Sequence, residues 1–168
     1  MSSQSEREDL LETLAKHRGL FRRTVQGVSD ADAARRTTVS ELCLGGLIKH
    51  VTLVEQIWAD FILNGPRYSG PPDAATMQDH AASFRMGEGD TLADLLARYH
   101  ETAEATDELV RTLPSLDDSQ PLPEAPWFPP TARWTARRTF MHVIAETAQH
   151  AGHADILREA IDGAKTMG

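Results

Sequence analysis

Residues 142–159 read His-Val-Ile-Ala-Glu-Thr-Ala-Gln-His-Ala-Gly-His-Ala-Asp-Ile-Leu-Arg-Glu, three imidazoles and a carboxylate at helical spacing. At about 100° per residue, His142, Glu146, His150 and His153 share an arc roughly 80° wide, and Leu157 continues it one turn on. That stripe is where a bundle helix normally buries apolar side chains. Imidazole and carboxylate at i, i+4 reach one ion together, and neutral imidazole is the commonest side-chain metal ligand. The chemistry these residues point to is the binding of a divalent cation.

A further histidine fits the same purpose. Leu47, His50, Val54, Ile57 and Phe61 form the expected inward stripe of a helix from Ser40 to Leu63, and His50 is its one ionisable member. A metal-free stripe on the last helix would have to bury and satisfy four polar groups, with protonated His142 or His150 paired to Glu146. That arrangement leaves an inward His50 without a purpose. With a cation the set is coherent: His50, Glu146 and His150 as ligands, and one position open to water or substrate. Three protein ligands and a vacancy describe a catalytic site, whereas structural sites are closed by four. His142 and His153 are left as a fourth ligand, an orienting partner, or a general acid–base beside the vacancy.

Four amphipathic helices are expected to position these groups. The first opens on a capping box, Ser5 to Glu8, and buries Leu10, Leu14, His17, Phe21, Val25 and Val28 before ending near Gly27. Residues 29–39 form a polar connector with one short helical turn. The second helix runs from Ser40 and stops at Asn64-Gly65-Pro66. Its Gly45 and Gly46 are costly in a helix and are expected to admit a backbone or a ligand near the His50 turn. Residues 67–89 make a long Pro/Gly/Asp-rich connection with a short helix around 77–84. Its His80 reads as a solvated loop residue. The third helix starts at Asp90-Thr91 and carries the core stripe Leu92, Leu95, Tyr99, Ala103, Thr106, Val110 and Leu113. After Pro114, five prolines between 121 and 130 flank Trp127-Phe128 and exclude helix. The fourth helix begins within 131–135 and ends at Asp162-Gly163, with Gly152 expected at a close helix contact. The fold class is all-α: a four-helix bundle about 30 Å long with long connecting loops, one domain over residues 1–168.

Composition narrows the partners. The chain has 168 residues and a net charge of −8, and its 17 basic residues are scattered, which argues against nucleic acid or an anionic membrane. No apolar run reaches the length of a bilayer span, and nothing near Met1 resembles a signal peptide. A single cysteine, Cys43, fits a reducing cytoplasm. Val/Ile/Tyr/Phe alternation is nearly absent, so strands have little to build on.

The segments Leu44-Gly-Gly-Leu-Ile-Lys-His50-Val-Thr-Leu-Val-Glu55-Gln-Ile-Trp58 and Glu146-Thr-Ala-Gln-His150-Ala-Gly-His153-Ala-Asp155-Ile-Leu-Arg158-Glu159 resemble the DinB/YfiT-like superfamily over essentially the whole chain. The resemblance implies a four-helix bundle, often a homodimer, that holds a divalent metal through three side chains. Many members use a His-x3-His pair on the last helix; here Glu146 stands at its first position. The Glu-x3-His form is similar to mycothiol-dependent maleylpyruvate isomerases, whose metal is held by His, Glu and His. That match implies His50, Glu146 and His150 as ligands. Those isomerases carry a further C-terminal domain that these residues do not include, so the likeness concerns the metal site and not their substrate.

The resemblance further implies transfer of a low-molecular-weight thiol, such as mycothiol or bacillithiol, to a small electrophile. Zinc suits the donor set, with nickel, iron and manganese as alternatives. His142 or His153 would move a proton, while residues 67–89 and Trp127-Phe128 would shape the electrophile pocket. Two other readings use the same residues: a metal-dependent hydrolase acting through bound water, and a non-enzymatic, stress-associated bundle stapled by metal.

Overall fold

Apolar side chains recurring every three or four residues wind four long helices: α1 (Ser3–Arg23), α3 (Leu44–Asn64), α5 (Leu92–Thr112) and α6 (Ala136–Asp162). Short helices α2 (Asp30–Ala33) and α4 (Ala74–Ser83) lie in the first two connections. The computed structural model describes residues 3–67, 73–126 and 128–166. Trp127 and residues 68–72 of the long connection, both expected at the substrate pocket, lie outside the described residues.

Helix starts follow their caps. Thr91 accepts from the backbone N–H of Asp94, Thr135 from that of Arg138 and Asp73 from that of Thr76. Two starts differ from expectation. The first helix begins at Ser3, so Ser5 lies inside its first turn and not at the N-cap position. The second long helix begins at Leu44 and not at Ser40, because the hydroxyls of Thr38 and Ser40 take the backbone N–H groups of Ser40 and Leu42 and hold a bend there. Gly65 and Gly163, with φ of 79° and 78°, end α3 and α6 as the Asn-Gly and Asp-Gly signals anticipate.

The long helices close a ring in which α1 packs on α6, α6 on α3, α3 on α5, and α5 on α1. Arg137 pairs with Glu6, and Arg158 reaches the carbonyl oxygens of Thr24 and Gln26, so α1 and α6 run parallel. Lys49 with Asp90, and Gln56 with Thr102, make α3 and α5 parallel as well. A parallel pair needs a connection that returns the length of the bundle, which is why residues 65–91 are long enough to hold α4. After α5, strands β1 (Ser119–Pro121) and β2 (Arg133–Thr135) pair antiparallel, with Gln120 opposite Trp134. This small ladder, not anticipated from composition, delivers Trp134 and Thr135 to the start of α6.

The core divides into two apolar clusters. One gathers Phe21, Leu44, Leu47, Val51, Leu95, Tyr99 and Leu157; the other gathers Leu10, Leu14, Ile62, Val110, Phe140 and Val143. Arg18 is buried with them: its guanidinium meets Glu55 across the bundle and Asp107 at 2.7 Å. His17, expected inward, is only half-buried, because the 4-3-4 spacing Leu14, Arg18, Phe21, Val25 puts Arg18 on the buried stripe. On α3 the buried face likewise includes Val51 and Glu55, while Val54 and Ile57 are half-buried. Gly152 faces open space and marks no helix contact.

Candidate metal centre

α3 and α6 run antiparallel, since His50 meets His150 at one level and Trp58 meets His142 two turns away. One ligand-capable atom from each of His50, Glu146 and His150 lies within 4.8 Å of the other two. Among the described residues no other trio of His, Cys, Asp or Glu side chains converges in this way. The His150 Nε2 to Glu146 Oε2 distance is 3.6 Å. Ligands about 2.1 Å from a tetrahedral ion stand about 3.4 Å apart, so this edge already has the required spacing. The edges to His50 are no longer than 4.8 Å. His50 and His150 are buried and Glu146 is 28% exposed, so the trio is enclosed at its two histidines and partly open at Glu146. Two imidazoles and a carboxylate, partly open to solvent, fit a borderline divalent cation such as zinc.

Hydrogen bonding fixes which His50 nitrogen is available. The Ser83 hydroxyl donates its only proton to the His80 carbonyl oxygen at 2.6 Å. Its oxygen can therefore only accept from His50 Nδ1, 2.9 Å away. His50 is thus the Nδ1–H tautomer, with its Nε2 lone pair free for a cation. The Phe84 ring stacks on the imidazole at 3.7 Å between centroids, and His80 approaches it edge-on at 5.1 Å. Gly46 makes this approach possible, as anticipated for the Gly45-Gly46 pair. A Cβ at position 46 would stand 1.9 Å from the Phe84 carbonyl oxygen, and one at position 45 would stand 2.2 Å from Met86 Sδ.

The charge states suit a cation. Burial lowers the His50 pKa to about 4, the imidazoles of His150 and His80 push the same way, and Glu146 opposes them. The His150 imidazole holds the Glu146 carboxyl below the usual carboxylate range against the opposing effect of burial, with His142 and His50 adding to the lowering. At neutral pH the trio therefore presents a neutral His50 and an ionised Glu146.

The two remaining histidines of the α6 stripe flank the trio. His142 Nε2 lies 3.4 Å from Glu146 Oε1, and its ring sits edge-on to Trp58 and Trp134, which stack on each other at 4.9 Å. Burial lowers its pKa, Glu146 opposes that and Arg138 reinforces it. His153 Nδ1 is 3.4 Å from His150 Nδ1 on the other side. Phe128, expected at the pocket, packs edge-on to Trp134 at 5.8 Å. Ser83, Phe84 and His80 were not legible as site residues, because they reach His50 from a connection 30 residues downstream. The paired glycines at 45 and 46 were their one signal in the sequence.

An all-α bundle whose second and last long helices bring together a His–Glu–His trio is a protein of the DinB/YfiT-like superfamily. Within it the chain belongs to the mycothiol-S-transferase family, whose profile matches residues 9–163. The fold is similar to that of a conserved protein from Enterococcus faecalis known from its crystal structure, with a TM-score of 0.62 and 18% sequence identity over 94% of this chain and 97% of that one. No curated protein matches the chain. Among the described residues no helix is long and apolar enough to cross a membrane.

Proposed function

We propose that this chain is a divalent-metal-dependent S-transferase, in which His50, Glu146 and His150 hold the cation and a low-molecular-weight thiol of the mycothiol or bacillithiol type attacks a small electrophile. The observation that carries the reading is the convergence of those three side chains from two helices, with His50 Nε2 free, in a member of the mycothiol-S-transferase family. Zinc suits the donors best, and nickel, iron and manganese are accommodated by the same set. When bound, the cation supplies Lewis acidity: a free thiol of pKa about 8.5 is only about a few per cent thiolate at neutral pH, whereas a coordinating thiol is deprotonated.

The chain's own residues supply the rest. His142, kept neutral at pH 7 by burial, accepts the thiol proton beside Glu146, whose carboxylate stabilises the imidazolium that forms. The sulfur electron pair forms the new S–C bond as the leaving group departs with its own pair, and the His142 imidazolium returns the proton to that group or to water. His153 supports His150 from its Nδ1 side, leaving His150 Nε2 toward Glu146, and is the second candidate for proton transfer. The stacked Trp58 and Trp134 wall off water beside His142. The free Cys43 thiol supports a cytoplasmic setting, and the superfamily resemblance supports a homodimer.

The test is a coupled assay with mycothiol and an activated aryl halide. Turnover is expected to require both zinc and the thiol. His142→Ala is expected to lower kcat by roughly a hundredfold while zinc binding persists. Ester hydrolysis with no thiol present, at a rate matching the thiol-dependent reaction, would contradict the reading in favour of a hydrolase.

A further inference from the structure

α4 meets the rest of the protein chiefly through α3, and Ser83, its last residue, is its buried one. That residue lies beneath the metal centre. Its hydroxyl joins the His80 carbonyl to His50 Nδ1 in a chain of two hydrogen bonds whose direction is set by the carbonyl. Three further contacts hold the same spot. Phe84 stacks on the His50 ring, the Phe84 carbonyl occupies the space above Gly46, and the Cys43 thiol approaches that carbonyl at 3.8 Å. Away from Ser83, a neutral imidazole places its proton on either nitrogen, and the form protonated at Nε2 cannot ligate through that atom.

We propose that Ser83 is a positioning residue for the metal centre, and that docking of α4 on α3 and cation binding at His50 are coupled. Docked α4 selects the tautomer that offers Nε2. A cation at Nε2 in turn favours the proton on Nδ1 and so strengthens the bond to Ser83. By linkage the two effects are equal in size. Removing a hydrogen-bond partner of a ligating histidine commonly costs about 10- to 100-fold in metal affinity, which sets the scale expected here. The inference rests on the reading of His50, Glu146 and His150 as a metal site.

The experiment compares wild type, Ser83→Ala and Ser83→Thr, using Zn2+ competition against a chromogenic chelator, nitrogen NMR of the metal-free histidines, and backbone hydrogen exchange. Ser83→Ala is expected to weaken Zn2+ binding roughly 10- to 100-fold, and Ser83→Thr, which keeps the hydroxyl, to retain most of the affinity. Metal-free wild type is expected to carry the His50 proton on Nδ1. Zn2+ is expected to slow amide exchange over residues 81–86 in wild type and far less in Ser83→Ala. Wild-type Zn2+ affinity in Ser83→Ala, or a His50 protonated at Nε2 in the metal-free protein, would overturn the inference. A wild-type protein that binds no Zn2+ would overturn the metal reading first and this inference with it, a result separable from the others because it appears before any substitution is made.

Discussion

Acid should destabilise the metal-free protein through His50. Its pKa falls from an ordinary 6.5 to about 4 in the folded state, so between these values the unfolded chain takes up a proton that the native state refuses. Stability contributed by neutral His50 is complete above pH 6.5 and is lost as pH falls through that window. The two pKa values give a loss of about 2 kcal/mol by pH 5 and about 3 kcal/mol by pH 4. Other groups also titrate in this range, so the quantity to measure is the difference between wild type and His50→Asn. The asparagine amide keeps a donor for Ser83 and does not titrate. Urea denaturation of both proteins, metal-free, at pH 7.5, 6, 5 and 4.5 should show the wild type losing stability relative to the variant as pH falls, by about 2 kcal/mol at pH 5. Parallel pH profiles would refute the reasoning: they would mean that His50 takes up a proton in the folded protein without penalty, which a buried imidazole stacked under Phe84 beside two other histidines should not do.

Three further substitutions probe the framework around the site. Gly46→Ala forces a Cβ against the Phe84 carbonyl and should cost about 1–3 kcal/mol while weakening zinc binding, because residues 83–86 must shift off His50. Gly152→Ala on the open face of α6 should instead stabilise by about 0.5–1 kcal/mol, so opposite signs in thermal denaturation are the expected result. Arg18→Met leaves Glu55, 1% exposed, without its cation and should cost about 3–5 kcal/mol. The Arg18→Met/Glu55→Met pair should recover most of that loss, measured by the same urea denaturation as a double-mutant cycle.

The parts of the site carried by one helix were legible, and those carried by tertiary contacts were not. Glu146, His150 and His153 follow His142 at i+4, i+8 and i+11, a spacing that is a property of α6 alone, and the structure keeps all four on one side of that helix. His50 could be assigned because it interrupts an apolar stripe. Nothing local to Ser83 says that its hydroxyl will reach a residue 33 positions earlier, although the short helix that carries it was legible around 77–84. Arg18 and Glu55 each sit at buried helical spacing, but an isolated charge on a stripe reads as a boundary residue until its partner on another helix is known. At the ends of elements the competition is among short-range hydrogen bonds: Thr38 and Ser40 hold a bend that delays α3, and the box expected at Ser5 is bypassed by a helix that starts earlier.

X-ray absorption at the zinc edge of the reconstituted protein tests the central claim most directly. One ion per chain is expected, bound at about 2.0–2.1 Å by nitrogen and oxygen donors that include two imidazoles. His50→Ala should reduce these to one imidazole. A spectrum unchanged by that substitution, or a protein that takes up no divalent cation, would contradict the account.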